Sequence, residues 1–451
     1  MVEGIPQSET GYLYNPRNPI YGPPAYPVGF PLLLSPVFAI AGNSVKAFNY
    51  EISFLFFVFV LLSYVFFRKS FSPFSSFILA LIMAYNPWLL SSKSEINSDI
   101  PFALFALIVI ILYKSSKRNF LNAMTIGLLC GFAFSIRLIG AALIIAIIID
   151  QLYRWVKKDL AFSKTFLLLI PVFASGFFLL LNLLIFRLPE GFFFGAASIF
   201  SVQELSDTFL ANLNIYFEIL RNLFYTGNEN EFRSVSVLFM SCLLCFTLLG
   251  LIVRIKGKIT LSEIFFMVYI AIILFYPYPH AGFRFLIPVL PIVWAFSADA
   301  MRFIINALEI RRKNILVVVT AILFYLIYKY DLKKILESQY RVISGPYQFN
   351  SKEAFEKIRN ITKPDDRILF NKPRALALFT GNTCFANNPL DNSSVIKNQI
   401  KEFDVDYILI NSEISDEAIK LFVTNNSALL IEIWQNEIYR LYKIRKQTYG
   451  E

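Results

Sequence analysis

Two short stretches hold most of the side chains able to do chemistry. SSKSEINSDIP, residues 91–101, gathers Lys93, Glu95 and Asp99; YPYPHAGFRFLIPVLP, residues 276–291, holds the only histidine, His280, with Arg284 four residues on. A third candidate, Arg137, interrupts a long apolar stretch. A carboxylate can take a proton from a hydroxyl, and guanidinium groups can hold a phosphate and offset charge on a departing one. Each group also has a plainer reading. Asp99 or Ser98 can cap a helix whose first turn holds Pro101, Glu95 can be a solvated loop residue, His280 can be structural, and either arginine can snorkel to an interface. Charge beside hydrocarbon is costly, so ionisable groups at the ends of apolar runs point to function more strongly than those in open loops.

The elements that must position these groups are membrane helices. The chain of 451 residues is 56% apolar and only 16% charged, with 48 phenylalanines, which lies outside the soluble range. Ten apolar runs follow one another at 48–67, 74–91, 99–114, 120–136, 138–153, 165–186, 234–254, 261–277, 285–304 and 314–330. Each is near the ~20 residues that cross ~30 Å of hydrocarbon as a helix. The stretch from Phe120 to Arg154 is nearly continuous, about 50 Å long as helix, and reads as two short helices meeting at Arg137.

The net charge of +10 suggests nucleic acid only until it is mapped along the chain. Loops after the odd-numbered runs hold sixteen Lys and Arg, from Arg68 and Lys69 to Arg302 and Lys313, whereas the alternate loops hold six, Arg137 and Arg284 among them. The positive-inside rule places the sixteen in the cytoplasm and both chain termini outside, so the basic excess is a topology signal and no nucleic-acid partner is implied. The domains expected are an extracytoplasmic loop with an interfacial helix (1–47), the bundle (48–330) with a long outer loop (187–233), and a polar extracytoplasmic domain (331–451). In the long loop, Val202 to Tyr225 has the spacing of an amphipathic helix on the membrane surface. In the polar tail, SKEAFEKIRNI and SDEAIKLFVTN read as helices, RILF and VDYILIN as buried strands, and the segment around Gln435 and Asn436 as a hairpin, giving a small α/β domain.

Cysteine is uninformative: CLLC at 242–245 has redox-motif spacing but lies among Leu and Phe in a span, and no disulfide framework is implied. No acidic pair with metal-site spacing stands out, which disfavours an obligatory divalent ion while leaving one open. No cofactor is expected. Three N-x-S/T matches, at Asn360, Asn392 and Asn425, carry no weight without a glycosylating compartment.

The order of YPVGFPLLLSPVFAIAGNS, SEINSDIPFALFALIVIILY, AFSIRLIGAALI and FRFLIPVLPIVW resembles the integral-membrane glycosyltransferases of the C-type fold (GT-C). The likeness is to the bacterial branch related to protein O-mannosyltransferases and lipid A aminoarabinose transferases. It implies a polytopic α-helical membrane protein with a small C-terminal α/β domain, in the bacterial inner membrane. The implied activity is transfer of a hexose or pentose from a polyprenyl-phosphate carrier to a glycan, lipid or protein acceptor at the outer face, with inversion. In such enzymes a leading span and a loop carrying the catalytic Asp precede the proline-aromatic segment, so Met1 is expected to be an internal methionine and that Asp to lie before it. Of the acidic positions present, Asp99 matches the family pattern, with Glu95 as alternate; Arg137, His280, Arg284, Lys93 and Tyr26 are the implied substrate contacts. Rival readings are a lipid-linked sugar flippase or transporter, and a non-catalytic glycan-binding membrane protein. Most ionisable groups lie at span ends, whereas transporters place them near mid-membrane.

Overall fold

The structure is a computed structural model that describes residues 27–42, 44–115, 120–157, 170–181, 202–221, 233–257, 259–276, 279–309, 313–338, 345–363, 365–387 and 391–445. Its residues form two compact units, one within 27–340 and one within 341–451. The first is helical: α1 (Gly29–Ala41), α2 (Val45–Arg68), α3 (Pro73–Ala84), α4 (Pro87–Ser92), α5 (Asp99–Ser115), α6 (Phe120–Ile136), α7 (Ala141–Val156), α8 (Ile170–Leu181), α9 (Val202–Arg221), α10 (Arg233–Gly257), α11 (Leu261–Phe275), α12 (Leu290–Ala307) and α13 (Lys313–Ser338). Among the described residues, four helical stretches are long and apolar enough to cross a membrane: Val45–Arg68, Leu138–Val156, Val237–Gly257 and Gly282–Ala307.

Local chemistry explains the breaks. The apolar run 74–91 is two helices, because the Asn86 side chain accepts from Leu89 N at 3.1 Å and Pro87 occupies the first turn of α4. Asn86 also donates to the Tyr328 hydroxyl on α13 at 3.0 Å, so the break is pinned across the bundle. The stretch from Phe120 is two helices as well; Arg137 is extended at φ −148° between α6 and the 3-10 turn Leu138–Gly140. Close approaches rest on small residues. A Cβ on Gly250 of α10 would lie 1.8 Å from the Phe296 carbonyl oxygen of α12, and one on Gly29 of α1 would meet the Ser135 backbone of α6.

The amphipathic helix expected in the long loop is α9, and it does more than cover a surface. Asn212, buried, donates to the carbonyls of Ile273 (3.3 Å), Leu274 (3.0 Å) and Tyr276 (2.6 Å), closing the C-terminal end of α11, whose last carbonyls have no helical partner. Phe209 packs on Phe275 beside it, and Leu210, Leu213 and Phe217 remain exposed.

Basic helix ends converge at the opposite end of the bundle. Arg254 donates to Asp299 at 2.5 Å and to Glu263 at 3.0 Å, and Arg302 donates to Asp299 at 2.5 Å. Glu263 also completes a capping box with Thr260 at the start of α11. Lys69 donates to the Ile111 carbonyl at 2.8 Å, and Asp150 of α7 takes bonds from Tyr113 and Arg154, each at 2.6 Å.

The second unit is a five-stranded mixed sheet in the order β2-β1-β3-β5-β4, with β1 (Arg367–Leu369), β2 (Thr383–Phe385), β3 (Tyr407–Asn411), β4 (Leu430–Gln435) and β5 (Tyr439–Ile444). Strands β1, β2 and β3 are parallel, and β3, β5 and β4 antiparallel. Helices α14 (Phe349–Ile361), α15 (Pro373–Thr380), α16 (Ser393–Glu402) and α17 (Glu417–Asn425) cover both faces. Every residue of β3 is buried, since Tyr407 and Leu409 pack with Phe355 and Leu376 on one face and Ile408 and Ile410 with Ile396 and Phe422 on the other. The expected strands, hairpin and flanking helices are all present; α15, β2 and α16 are elements that the sequence pattern did not reveal.

Candidate functional site

Asp99 lies in the first turn of α5, where the helix dipole favours a negative charge, and its side chain has no exposed surface. Its backbone N–H donates to the Asn97 side-chain oxygen at 3.2 Å, so Asn97 closes the helix start and leaves the Asp99 carboxylate for other partners. Those partners are two arginines. Arg284 brings both Nε and Nη2 within 2.6 Å of Oδ2, and Arg137 pairs with Oδ1.

Each arginine is held by its own backbone. Arg137 stands at the α6–α7 break, and its guanidinium lies 5.1 Å from the centre of the Phe285 ring. Arg284 is on the 3-10 segment Pro279–Val289, which is broken at Gly282 with φ 55° and ψ −131°, a backbone that only glycine adopts without strain. Phe283 then packs on Trp88 of α4 with ring centres 5.5 Å apart, and Tyr269 of α11 donates to the Phe285 carbonyl at 2.8 Å. Helices α4, α5 and α11, the α6–α7 break and the 3-10 segment thus fix one carboxylate and two cations.

The three groups differ in access to water. The Arg137 side chain is 17% exposed and that of Arg284 is 42% exposed, against 0% for Asp99. The cluster carries a net positive charge, with Arg284 open to an anion. Asp99, buried with an arginine on each oxygen, has the geometry of a carboxylate orienting two guanidiniums.

Of the residues singled out from the sequence, Asp99, Arg137 and Arg284 are in direct contact. Glu95 is exposed and joined to them indirectly, its Oε2 accepting from the Asn97 amide at 2.9 Å. Lys93 is half-buried at the end of α4, and its carbonyl is 3.5 Å from the Ser53 hydroxyl. His280 lies on the same 3-10 segment as Arg284, with its side chain outside the described residues, as is the whole of Tyr26. Asn97, Tyr269 and Phe285 complete the cluster without having stood out in the sequence. Asn97 had a detectable signal, an amide two residues before a helix start; Tyr269, inside an apolar run, had none. Among the described residues, no group of three or more His, Cys, Asp or Glu side chains could hold a metal ion.

No protein-family model and no curated protein matches the sequence. Solved structures do match. The archaeal oligosaccharyltransferase AglB from Archaeoglobus fulgidus, in complex with an inhibitory peptide and a dolichol-phosphate, aligns with TM-score 0.56 at 12% identity over 86% of this chain. This chain spans 62% of that protein's length. ArnT from Cupriavidus metallidurans bound to undecaprenyl phosphate aligns with TM-score 0.56 at 11% identity, over 96% of this chain and 90% of that one. The apo state of ArnT aligns with TM-score 0.53 over 92% and 87%. At such identities the likeness is one of fold, and with the apolar helices it makes this an integral membrane protein that has the GT-C glycosyltransferase fold: a polytopic helical unit followed by a small C-terminal α/β unit.

Proposed function

We propose that the protein transfers a sugar from a polyprenyl-phosphate carrier to an acceptor at the outer face of the membrane. The observation that carries this reading is the Asp99, Arg137 and Arg284 cluster at the end of the helical unit away from the basic helix ends, in a fold shared with one structure bound to undecaprenyl phosphate and one in complex with a dolichol-phosphate. The positive-inside rule sets the basic ends in the cytoplasm and both termini of this chain outside.

A sugar 1-phosphate ester already has a good leaving group, so the protein has two tasks. Arg284, half-exposed, and Arg137 bind the carrier phosphate and offset the charge that builds on it as the bond between the sugar's anomeric carbon and the phosphate oxygen breaks. Asp99 acts through them, holding both guanidiniums in place before substrate arrives. The acceptor hydroxyl attacks the anomeric carbon from the opposite side and gives its proton to a carboxylate; Glu95, exposed on the same loop, is the candidate within this chain. Lys93, His280 and Tyr26 are the further substrate contacts that the family resemblance implies.

The test is transfer from a radiolabelled polyprenyl-phosphate sugar in membranes containing the protein. Arg284→Gln is expected to lower kcat/KM by about 100-fold or more, as removal of one donor to a developing oxyanion does. Asp99→Asn is expected to follow it. Transfer at the wild-type rate in both variants would remove the site as drawn.

A further inference from the structure

A cavity of about 550 Å³ lies between α3, α10, α12 and α13. It shares no residue with the Asp99 cluster. Its lining is ordered by polarity: Ser70, Ser72 and Ser75, before and at the start of α3, and Arg302 on α12 stand at one end, while Ile82, Trp294, Phe324 and Ile327 line the rest. The polar end is fixed at the basic face of the bundle, because Arg302 donates to the Ser70 carbonyl at 2.8 Å and lies 5.3 Å from the centre of the Phe71 ring.

The depth is informative. The lining runs from Trp294 to Ile305 on α12 and from Val317 to Ile327 on α13. These twelve and eleven helical residues rise about 15 Å, half of the ~30 Å hydrocarbon core. A slot this deep, mostly apolar along its length apart from Ser297 and Thr320 and most polar at the interface, has the form of a single membrane lipid.

Charge selects the headgroup. Arg302 is 52% exposed and shares Asp299 with Arg254, which also pairs with Glu263; Lys114 is within electrostatic range of the same groups, and Lys69 of Lys114. Arg302 lines the slot, and behind it Arg254, Lys114 and Lys69 join it in a linked set of four cations against the two carboxylates Asp299 and Glu263. An anionic headgroup meets net attraction there, and the serine hydroxyls can donate to its oxygens.

We infer that this slot binds one anionic glycerophospholipid of the leaflet on the basic side, tail along α12 and α13 and phosphate at Arg302, as a structural lipid apart from any substrate of the Asp99 cluster. The experiment is native mass spectrometry of the purified protein titrated with equal amounts of phosphatidylglycerol and phosphatidylcholine, and separately with undecaprenyl phosphate. The expected result is one phosphatidylglycerol retained in preference to phosphatidylcholine. Arg302→Gln should weaken that retention about tenfold, the value of a charge-assisted hydrogen bond, while Ala298→Phe, which fills the slot and keeps every charge, should abolish it. Equal retention by wild type and both variants would overturn the inference. So would tighter binding of undecaprenyl phosphate that is lost in Ala298→Phe, since the occupant would then be the carrier.

Discussion

Replacing Asp99 by Asn keeps the shape of the side chain and removes the charge between Arg137 and Arg284. Breaking a buried ion pair from one side costs about 3–5 kcal/mol, because the remaining charge stays out of water without a partner. The two arginines share that cost unequally. Arg284, 42% exposed, can turn to solvent, so its loss is of the surface kind, about 1 kcal/mol or less. Arg137, 17% exposed, keeps its contact with Phe285 but cannot regain full hydration. A total near 3 kcal/mol follows, with most of it on Arg137. The assay is a double-mutant cycle in mixed micelles, unfolding the single variants and the pairs Asp99→Asn with Arg137→Gln and Asp99→Asn with Arg284→Gln. The Asp99 and Arg137 coupling is expected to be about 2 kcal/mol, and the Asp99 and Arg284 coupling below about 1 kcal/mol. Additivity within about 0.5 kcal/mol for the first pair, or the reverse order of the two couplings, would refute this electrostatic reasoning.

Three further outcomes test how the fold is held. Gly250→Ala places a methyl against the immovable Phe296 carbonyl and should cost about 2–3 kcal/mol, whereas Gly257→Ala, with open space around it, should be neutral or slightly stabilising; thermal unfolding in detergent compares them. Asn212→Ala removes the donor that closes α11 and should cost about 1–2 kcal/mol, with faster hydrogen exchange around Leu274–Tyr276 than elsewhere in α11. In the second unit, burial pushes the Cys384 thiol well above its usual range, so little thiolate exists near neutral pH. Maleimide should label Cys384 only after denaturation; labelling of the folded protein within minutes would contradict its place inside the sheet.

What the sequence made legible follows the physics of each signal. Apolar runs and basic loop ends are strong because the bilayer penalises every exception, so α2, α5, α10 and the break at Arg137 could be read directly. The Asn86-Pro87 pair carried its own signal of a helix start, yet the unbroken hydrophobicity of 74–91 masked it. In the second unit, alternation and short buried strings marked β1, β3 and the hairpin, while β2, only three residues long, offers too little pattern to separate from a loop. At the site, residue type and membrane side brought Asp99, Arg137 and Arg284 to attention as a group. That Asp99 is shared between both arginines was hidden, since hydrogen bonds across 185 residues of sequence leave no local trace. Tyr269 and Phe285 were invisible for another reason: an aromatic in a membrane helix looks like packing until its hydroxyl or ring face is seen to have a partner.

The most direct measurement is of the two products together. Purified protein in lipid, given a polyprenyl-phosphate sugar labelled in both parts and a mixture of envelope glycans, lipids and proteins, should release free polyprenyl phosphate in step with label appearing on an acceptor. Movement of intact lipid-linked sugar across the bilayer, with neither product formed, would contradict sugar transfer and leave a transporter in its place.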